Sequence, residues 1–551
     1  MSQDESVRSH APAPARGRAA RLSRRAAFIA GVVLFVAFAA LRVPLLLSHG
    51  LWADELFSLA MATGHSLEHP ADVADASSGD FVELPQAVTA EFYAQHLDHR
   101  EPRAAPPRVV RAVYLSDTSP PGYYVLLHFW TRLLGTSDAA LRGFSLLWAM
   151  ATFPVLWSLA RRLGGRWAAV SAAFFYTFAP FCIFYSVEGR MYSMLWFWSA
   201  ALMWLALRAR GGDNLGRPLV MSAWIIVSVA GLLTHYFFAF VWLASALWLL
   251  LHGGALKRLW LLAAAAATAV LIIPWYLRLP GSLQNWRVTG DWLNIEPWPG
   301  YNLLVVVAQL PWRFFSPRGD WGVRPHWELP AALALLLLAI LSARRVRWCA
   351  PRRQLAWLSV AAACLGLAAF DLWRGTYASA ISRYAIAGMP AAFVLAGVAL
   401  GSVPLRTRLV IAILFAASCL IGFRRMYINP GRAAEPFDLA ARQIVEAAGP
   451  QDLVIVHSIP SGVTGVARYL EMYRPPEAEP LAFAAWVGQL GQRRMPEDIL
   501  DLTRGREQVF VVVGHAVGEP APELEWLHDH ATLVEERSYE AVHVYTFRVG
   551  P

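Results

Sequence analysis

The chain is short of charge, of lysine and of cysteine, and each shortage excludes something. Only 16% of its 551 residues are charged, 57% are hydrophobic, and the mean hydropathy is +0.40. A soluble protein of this length carries far more charge. Repeated apolar runs of roughly 16 to 24 residues mark a polytopic α-helical membrane protein. Lys257 is the one lysine, so the net charge of +9 comes from arginine. A GC-rich genome explains that bias plainly, although arginine is also the better fork for phosphate. The basic residues are scattered among the spans, which argues against a nucleic-acid partner. Cys182, Cys349, Cys364 and Cys419 lie in or beside apolar stretches and form neither a disulfide framework nor a zinc motif. No internal repeat is evident, which weakens an inverted-repeat transporter.

What is present begins with residues 1–26, rich in Ala, Pro, Ser and Arg, which read as a disordered tail. Arg24 and Arg25 place that tail in the cytoplasm. Small residues at Ala39 and Ala40 allow a signal peptide instead, but the length of the run Ala27 to Leu47 favours an uncleaved anchor. Directly after it comes LWADELFSL, Leu51 to Leu59, with the adjacent acids Asp54 and Glu55. Ionisable groups at a membrane boundary are costly unless they face water, a cation or a substrate. The pair is either the bare end of a helix or a base for a weakly nucleophilic hydroxyl.

Residues 48–138 form a long first external loop. His96 and His99 are spaced to ligate a metal if helical, though such a pair in a polar loop is usually solvated. Within this loop SPPGYYVLLHFWTRLLG, residues 119–135, is apolar enough to suggest a span. Basic short loops at Arg161 to Arg166, Arg208 to Arg217, Lys257-Arg258, Arg344 to Arg353 and Arg406 to Arg408 share one face with the N-terminus only if 119–135 does not cross. An interfacial helix presenting Tyr123 and Tyr124 is therefore expected. The count for residues 27–425 is about eleven transmembrane helices, plus or minus two.

The external side collects the chemistry-bearing residues: Glu188, Arg190 and Tyr192; His235 and Tyr236; Arg374, Arg383 and Tyr384; and, in a longer loop, Arg278, Trp286, Arg287 and Arg313. Arginines in short outside loops run against the positive-inside tendency, and an anionic headgroup is the natural reason for them. From residue 433 to 551 helical and strand patterns alternate, which predicts a small extracytoplasmic α/β domain.

The acid pair after the first span, Pro120-Pro121-Gly122-Tyr123-Tyr124, Leu141-Arg142 opening the next span, and Glu188-x-Arg190-x-Tyr192 occur in an order that resembles the C-type membrane glycosyltransferases using polyprenyl-phosphate sugars. Within these the chain is similar to the protein O-mannosyltransferase and lipid A aminoarabinose transferase group, most strongly over residues 27–240. The resemblance implies a multi-pass protein of the plasma (inner) membrane with its active site on the extracytoplasmic face. It also implies a lipid-linked sugar donor, an extracytoplasmic acceptor hydroxyl on protein, lipid or glycan, and inversion at the anomeric carbon. Asp54 then matches the catalytic acid and Glu55 the acid beside it, orienting the acceptor or helping to hold a divalent ion (Mg or Mn) if one is used. Adjacent helix residues point roughly 100° apart, so the two acids should not share one task. Arg190 and Arg383, with Arg278 and Arg374 in reserve, are the expected donor-phosphate ligands. Glu188, Tyr192, His235, Tyr236, Tyr123 and Tyr124 are the expected substrate-binding set. A flippase for a lipid-linked glycan, or a glycan ligase or polymerase, are the alternatives.

Overall fold

The computed structural model of the chain describes residues 14–69, 74–100, 104–117, 119–210, 217–253, 255–284, 292–316, 325–428, 435–515 and 521–550. Residues 1–13 of the expected tail, and Trp286 and Arg287, lie outside the described residues. The first helix begins at Pro14 and runs to Arg42, so part of the expected tail is helical. The run ARGRAARLSRRAA is rich in Ala and Arg, which are strong helix formers, and this outweighs its lack of an apolar face.

Against about eleven expected, six helices among the described residues are long and apolar enough to cross a membrane, and a seventh candidate is a bent pair. Shorter apolar helices occupy Pro218–Leu232, Phe238–His252, Leu303–Arg313 and Leu329–Ala343, and Tyr192–Arg210 is a further apolar helix. The bent pair is Arg166–Phe178 with Pro180–Val187, turned by 66°. Pro180 has no N–H to continue the first helix, so the turn before it leaves carbonyls free. Inside a bilayer such groups need a partner from the protein. Arg42 supplies it: its Nη2 donates to the Tyr176 carbonyl (2.9 Å), its Nη1 to the Thr177 carbonyl (3.1 Å) and its Nε to Ser186 Oγ (2.9 Å). The same guanidinium lies 3.5 Å from the centroid of the Phe38 ring, so this fully buried cation is satisfied on every side. The break matters because its second half ends at Val187 and delivers Glu188 to Arg190.

Close packing fixes the frame. A Cβ on Gly397 would stand 2.6 Å from Ala172 Cβ, so the helices Met389–Ser402 and Arg166–Phe178 approach through small residues.

Residues 119–135 yield the helix Gly122–Leu134. Thirteen residues span about 20 Å, short of the ~30 Å hydrocarbon core. Tyr123, Tyr124, Leu127, His128 and Thr131 are buried, while Leu126, Phe129, Leu133 and Leu134 are exposed, so the helix packs one face on the protein and leaves an apolar face uncovered. Its start is pinned to the turn that carries His235. Gly122 N–H donates to the Leu233 carbonyl (2.7 Å), and a Cβ at Gly122 would come within 2.6 Å of that oxygen.

The C-terminal region holds five strands of a six-stranded sheet: β2 Leu453–His457, β3 Ala482–Trp486, β4 Gln508–Gly514, β5 Thr532–Tyr539 and β6 Val542–Arg548. The sixth, β1, is Val88–Thr89 of the loop that follows the first apolar helix and pairs antiparallel with β3 at the edge. The order is β1-β3-β2-β4-β6-β5, with β3, β2 and β4 parallel. The helix Pro460–Tyr473 packs between this sheet and that same loop, where a Cβ on Gly465 would touch Leu56 at 2.6 Å. The loop and the C-terminal domain are therefore one body.

Candidate active site

Asp54 stands in the first turn of the helix Ala53–Thr63, whose other residues are almost all buried. Its own side chain keeps 27% exposure. Its Oδ2 lies 3.9 Å from Arg190 Nε and 3.7 Å from Arg383 Nη2, so two guanidinium groups flank it at charge-contact rather than hydrogen-bond distance. Three segments more than a hundred residues apart in sequence thus meet at one carboxylate.

Each arginine is held by its own shell. Arg190 Nη1 donates to Tyr124 Oη (3.2 Å) and Ser58 Oγ (3.3 Å), and it lies 3.5 Å from Asp117 Oδ2. Tyr124 in turn donates to Asp117 Oδ2. Arg383 is set over the rings of Trp52 and Tyr384, both 6.0 Å from its guanidinium carbon. The segment bearing Arg383 is organised by Asp371, which accepts from Thr376 Oγ1 (2.7 Å), Ala378 N (2.7 Å) and Ser379 N (2.9 Å). Arg313 braces the same segment through the Ala380 carbonyl and Ser382 Oγ, each at 3.0 Å.

Several buried polar atoms around Asp54 have no hydrogen-bond partner among the described residues: both Glu188 carboxylate oxygens, Arg190 Nε and Arg383 Nε. Buried polar groups are normally paired, so a cluster of orphans around one carboxylate marks a place built for a ligand. Glu188 is 4% exposed and within electrostatic reach of Arg383, Asp54 and Arg190. Tyr192 and Tyr384 stand 6.4 Å and 6.1 Å from the His235 ring and wall the same side.

Glu55 does something else. It is 1% exposed, accepting from Arg142 Nε (2.9 Å) and Nη2 (2.6 Å) and from Gly189 N–H (2.8 Å). Arg142 also donates to the carbonyls of His49 (2.7 Å) and Gly50 (2.9 Å). This buried fork ties the Asp54 helix, the helix Asp138–Gly164 and the Glu188–Arg190 turn into one frame. A catalytic or metal-binding Glu55 is thus not what the geometry offers, because both of its oxygens are occupied by Arg142 and Gly189.

Residues 118–277 match the family model described as dolichyl-phosphate-mannose-protein mannosyltransferase. The structure also superposes on two solved structures of ArnT from Cupriavidus metallidurans, with TM-scores of 0.53 for the apo state and 0.55 for the undecaprenyl phosphate complex. Each shares 14% identity and covers 94% of this chain and 99% of that one. This is the C-type glycosyltransferase fold. No curated protein sequence matches the chain significantly.

Within the C-type fold the expected site residues separate into two groups. Asp54, Arg190, Arg383, Glu188, Tyr124, Tyr192 and His235 converge. Tyr123 is buried one step behind, its hydroxyl 3.4 Å from Ser145 Oγ. Tyr236 turns to the neighbouring helix and accepts from Trp275 Nε1 (3.0 Å). Arg278 is exposed, and Arg374 is exposed with its guanidinium near Trp373. Neither of these arginines joins the site among the described residues, because an exposed position leaves a long side chain free to turn to solvent. His96 and His99 turn to different partners, the Tyr93 carbonyl (3.0 Å) and Thr131 Oγ1 (2.9 Å). No three His, Cys, Asp or Glu side chains among the described residues converge as a cation would need. Asp117 was not singled out from sequence; the signal available was an acid directly upstream of Pro120-Pro121, seven residues before Tyr124.

Proposed function

We propose that this chain is an integral membrane glycosyltransferase that moves a sugar from a polyprenyl phosphate to an extracytoplasmic hydroxyl acceptor with inversion. The observation that carries this reading is Asp54 between Arg190 and Arg383, ringed by unpartnered buried polar atoms. The fold shared with a structure holding undecaprenyl phosphate supports the donor class.

The chemistry follows from charge. The acceptor O–H is a poor nucleophile, and Asp54 takes its proton as the oxygen attacks C1 of the sugar. A positioned base of this kind contributes about 10²–10⁴ in rate. As the new C1–O bond forms, the bond from C1 to the phosphate oxygen breaks and its electron pair stays on the phosphate. Arg190 and Arg383 meet that charge in place, without reorganising during the step. Planar guanidinium forks suit phosphate oxygens, and the unpartnered Nε of each is available for one. One displacement inverts the anomeric centre. Glu188, with both oxygens unpartnered, binds sugar hydroxyls beside Tyr192 and His235.

Before donor arrives, both cations rest against Asp54. Donor phosphate competes for them, so donor binding frees the base and couples activation of the acceptor to a loaded site. Purified protein in lipid nanodiscs, given a labelled polyprenyl-phosphate sugar and a panel of hydroxyl acceptors, tests the reading. Label should appear on an acceptor and vanish with Asp54→Asn. Translocation of the lipid-linked sugar without any transfer would overturn it in favour of a flippase.

A further inference from the structure

The helix that carries Asp54 lacks a cap of its own. Its N-cap residue is Trp52, whose side chain makes no capping hydrogen bond. Four N–H groups open every helix without an internal partner, and an uncapped start frays. Here the partner comes from almost four hundred residues away. Ala53 N–H donates to Glu435 Oε2 at 2.9 Å, and Glu435 is buried. Two residues earlier, Leu51 N–H donates to Tyr469 Oη, which itself donates to Asp138 Oδ2 at 2.6 Å. The C-terminal domain therefore grips the backbone on both sides of Trp52.

Glu435 does not stand alone. Its Oε1 is bonded to His515 Nδ1, and His515 directly follows β4. His515 has φ of 54°, a backbone conformation uncommon for a residue other than glycine. The chain thus holds a sparsely populated geometry at the point where it presents this ring. Among the described residues the charged groups that act most strongly on the His515 ring are Glu435, Asp54 and Glu68.

We propose that Glu435 and His515 are positioning residues of the active site, through which the C-terminal domain caps the catalytic helix and fixes Asp54 opposite Arg190 and Arg383. The reasoning is geometric. Asp54 is one residue beyond the capped N–H, so any unwinding of the first turn displaces its carboxylate. A displacement of about 1 Å at a reacting group costs roughly 100-fold in rate. It is also electrostatic, because a carboxylate suits the positive end of the helix. A second bare acid next to Asp54, however, would draw Arg190 and Arg383 off their station. The imidazolium of His515 balances Glu435 locally and leaves the arginines to Asp54 and the donor. Burial disfavours the charged ring, but the bond to Glu435 and the neighbouring negative charges outweigh it and raise its pKa above the usual histidine value. The charged, balancing form therefore extends to higher pH than in a free histidine and is lost as pH rises through the raised pKa.

This inference rests on the transferase reading, and two readouts keep the two apart. In the transfer assay, Glu435→Ala should lower kcat about 10- to 100-fold while donor KM moves less than threefold. Glu435→Gln keeps an oxygen for Ala53 N–H and should retain kcat within about threefold near neutral pH. His515→Gln keeps a donor but no titratable charge, so the alkaline fall of the wild-type kcat–pH profile should disappear. Independently of activity, hydrogen exchange in a peptide spanning residues 51–57 should speed up in Glu435→Ala and not in Glu435→Gln. Wild-type kcat in Glu435→Ala, or an unchanged alkaline limb in His515→Gln, would overturn the inference. If Glu435→Ala does not fold, the Glu435→Gln and His515→Gln pH profiles decide. If the wild type transfers nothing, the transferase reading falls, and unaltered exchange at 51–57 in Glu435→Ala overturns the capping role as well.

Discussion

Replacing Asp54 by Asn separates the two duties assigned around that carboxylate. The substitution keeps size and shape, so the helix and its flanking arginines stay in place, but it removes the proton acceptor. Turnover should fall by about 10²–10⁴, the usual worth of a positioned general base. Donor binding should move the other way. In the wild type, Arg190 Nε and Arg383 Nη2 lie 3.9 Å and 3.7 Å from Asp54 Oδ2, and an incoming phosphate must compete for both. A unit-charge pair at about 4 Å is worth about 1 kcal/mol even at the dielectric constant of water. Asp54 is partly exposed, so the water-like value is the safe one. Releasing one or two such contacts should tighten the donor by about five- to thirty-fold. Isothermal titration with a non-hydrolysable polyprenyl phosphonate gives the affinity, and single-turnover transfer gives the rate. Weaker donor binding in Asp54→Asn, or turnover within threefold of wild type, would refute the arrangement of base and cations described here.

The remaining expectations follow from the same contacts. Glu55→Ala strands the buried Arg142 cation and should cost roughly 3–5 kcal/mol, seen as loss of monodisperse protein on heating, whereas Glu55→Leu with Arg142→Met should recover much of that loss. Arg190→Lys and Arg383→Lys each keep the charge but lose the planar fork, so donor affinity should drop about tenfold, while Arg278→Lys and Arg374→Lys leave it unchanged in the same titration. A cysteine placed at Thr136 should react with a membrane-impermeant maleimide added from outside, and labelling only from the cytoplasm would show that Gly122–Leu134 crosses. Glu83 is buried against Arg493, and burial pushes its carboxyl up to about 7 despite that cation. A raised carboxyl pKa means the folded state holds the proton more tightly than the unfolded chain. Its contribution to stability is therefore full below about pH 4.5 and is lost as pH rises through 7. Protection of the β1 amides against exchange should then be greater at pH 5.5 than at pH 7.5, and Glu83→Gln should abolish the difference.

Much of the site is legible from the sequence because it violates expectations about membranes. Arg190 and Arg383 stand in loops expected on the outside, where arginine is disfavoured, and Asp54 follows an apolar run where an acid is costly. Those violations need a partner, and the three residues turn out to be partners of one another. The roughly 100° offset between adjacent helix positions also holds, since Asp54 faces Arg190 and Arg383 while Glu55 faces Arg142. What adjacency does not reveal is which of two neighbouring acids is buried; that depends on Arg142 and Gly189, both distant in sequence. Arg278 and Arg374 meet the same sidedness criterion as Arg190, but a loop position does not fix where a long side chain goes. In the C-terminal domain the strands Leu453–His457, Gln508–Gly514 and Val542–Arg548 and the helices Phe437–Ala447 and Pro522–His530 follow their apolar patterns. Strand β5 escapes notice because its residues are nearly all exposed or half-buried, leaving no apolar alternation to detect. Strand β1 escapes because two residues have no periodicity at all.

That two-residue strand carries a lesson about how the protein is made. Val88 pairs with Phe483, Leu51 with Tyr469 and Ala53 with Glu435, so an early stretch of the chain waits for residues translated hundreds of codons later. Contacts this remote in sequence form late and slowly. Until the final domain has emerged and docked, the helix that bears Asp54 has no clasp. On the transferase reading proposed above, assembly order then acts as a safety catch, since Asp54 is held in place only once the C-terminal domain has docked.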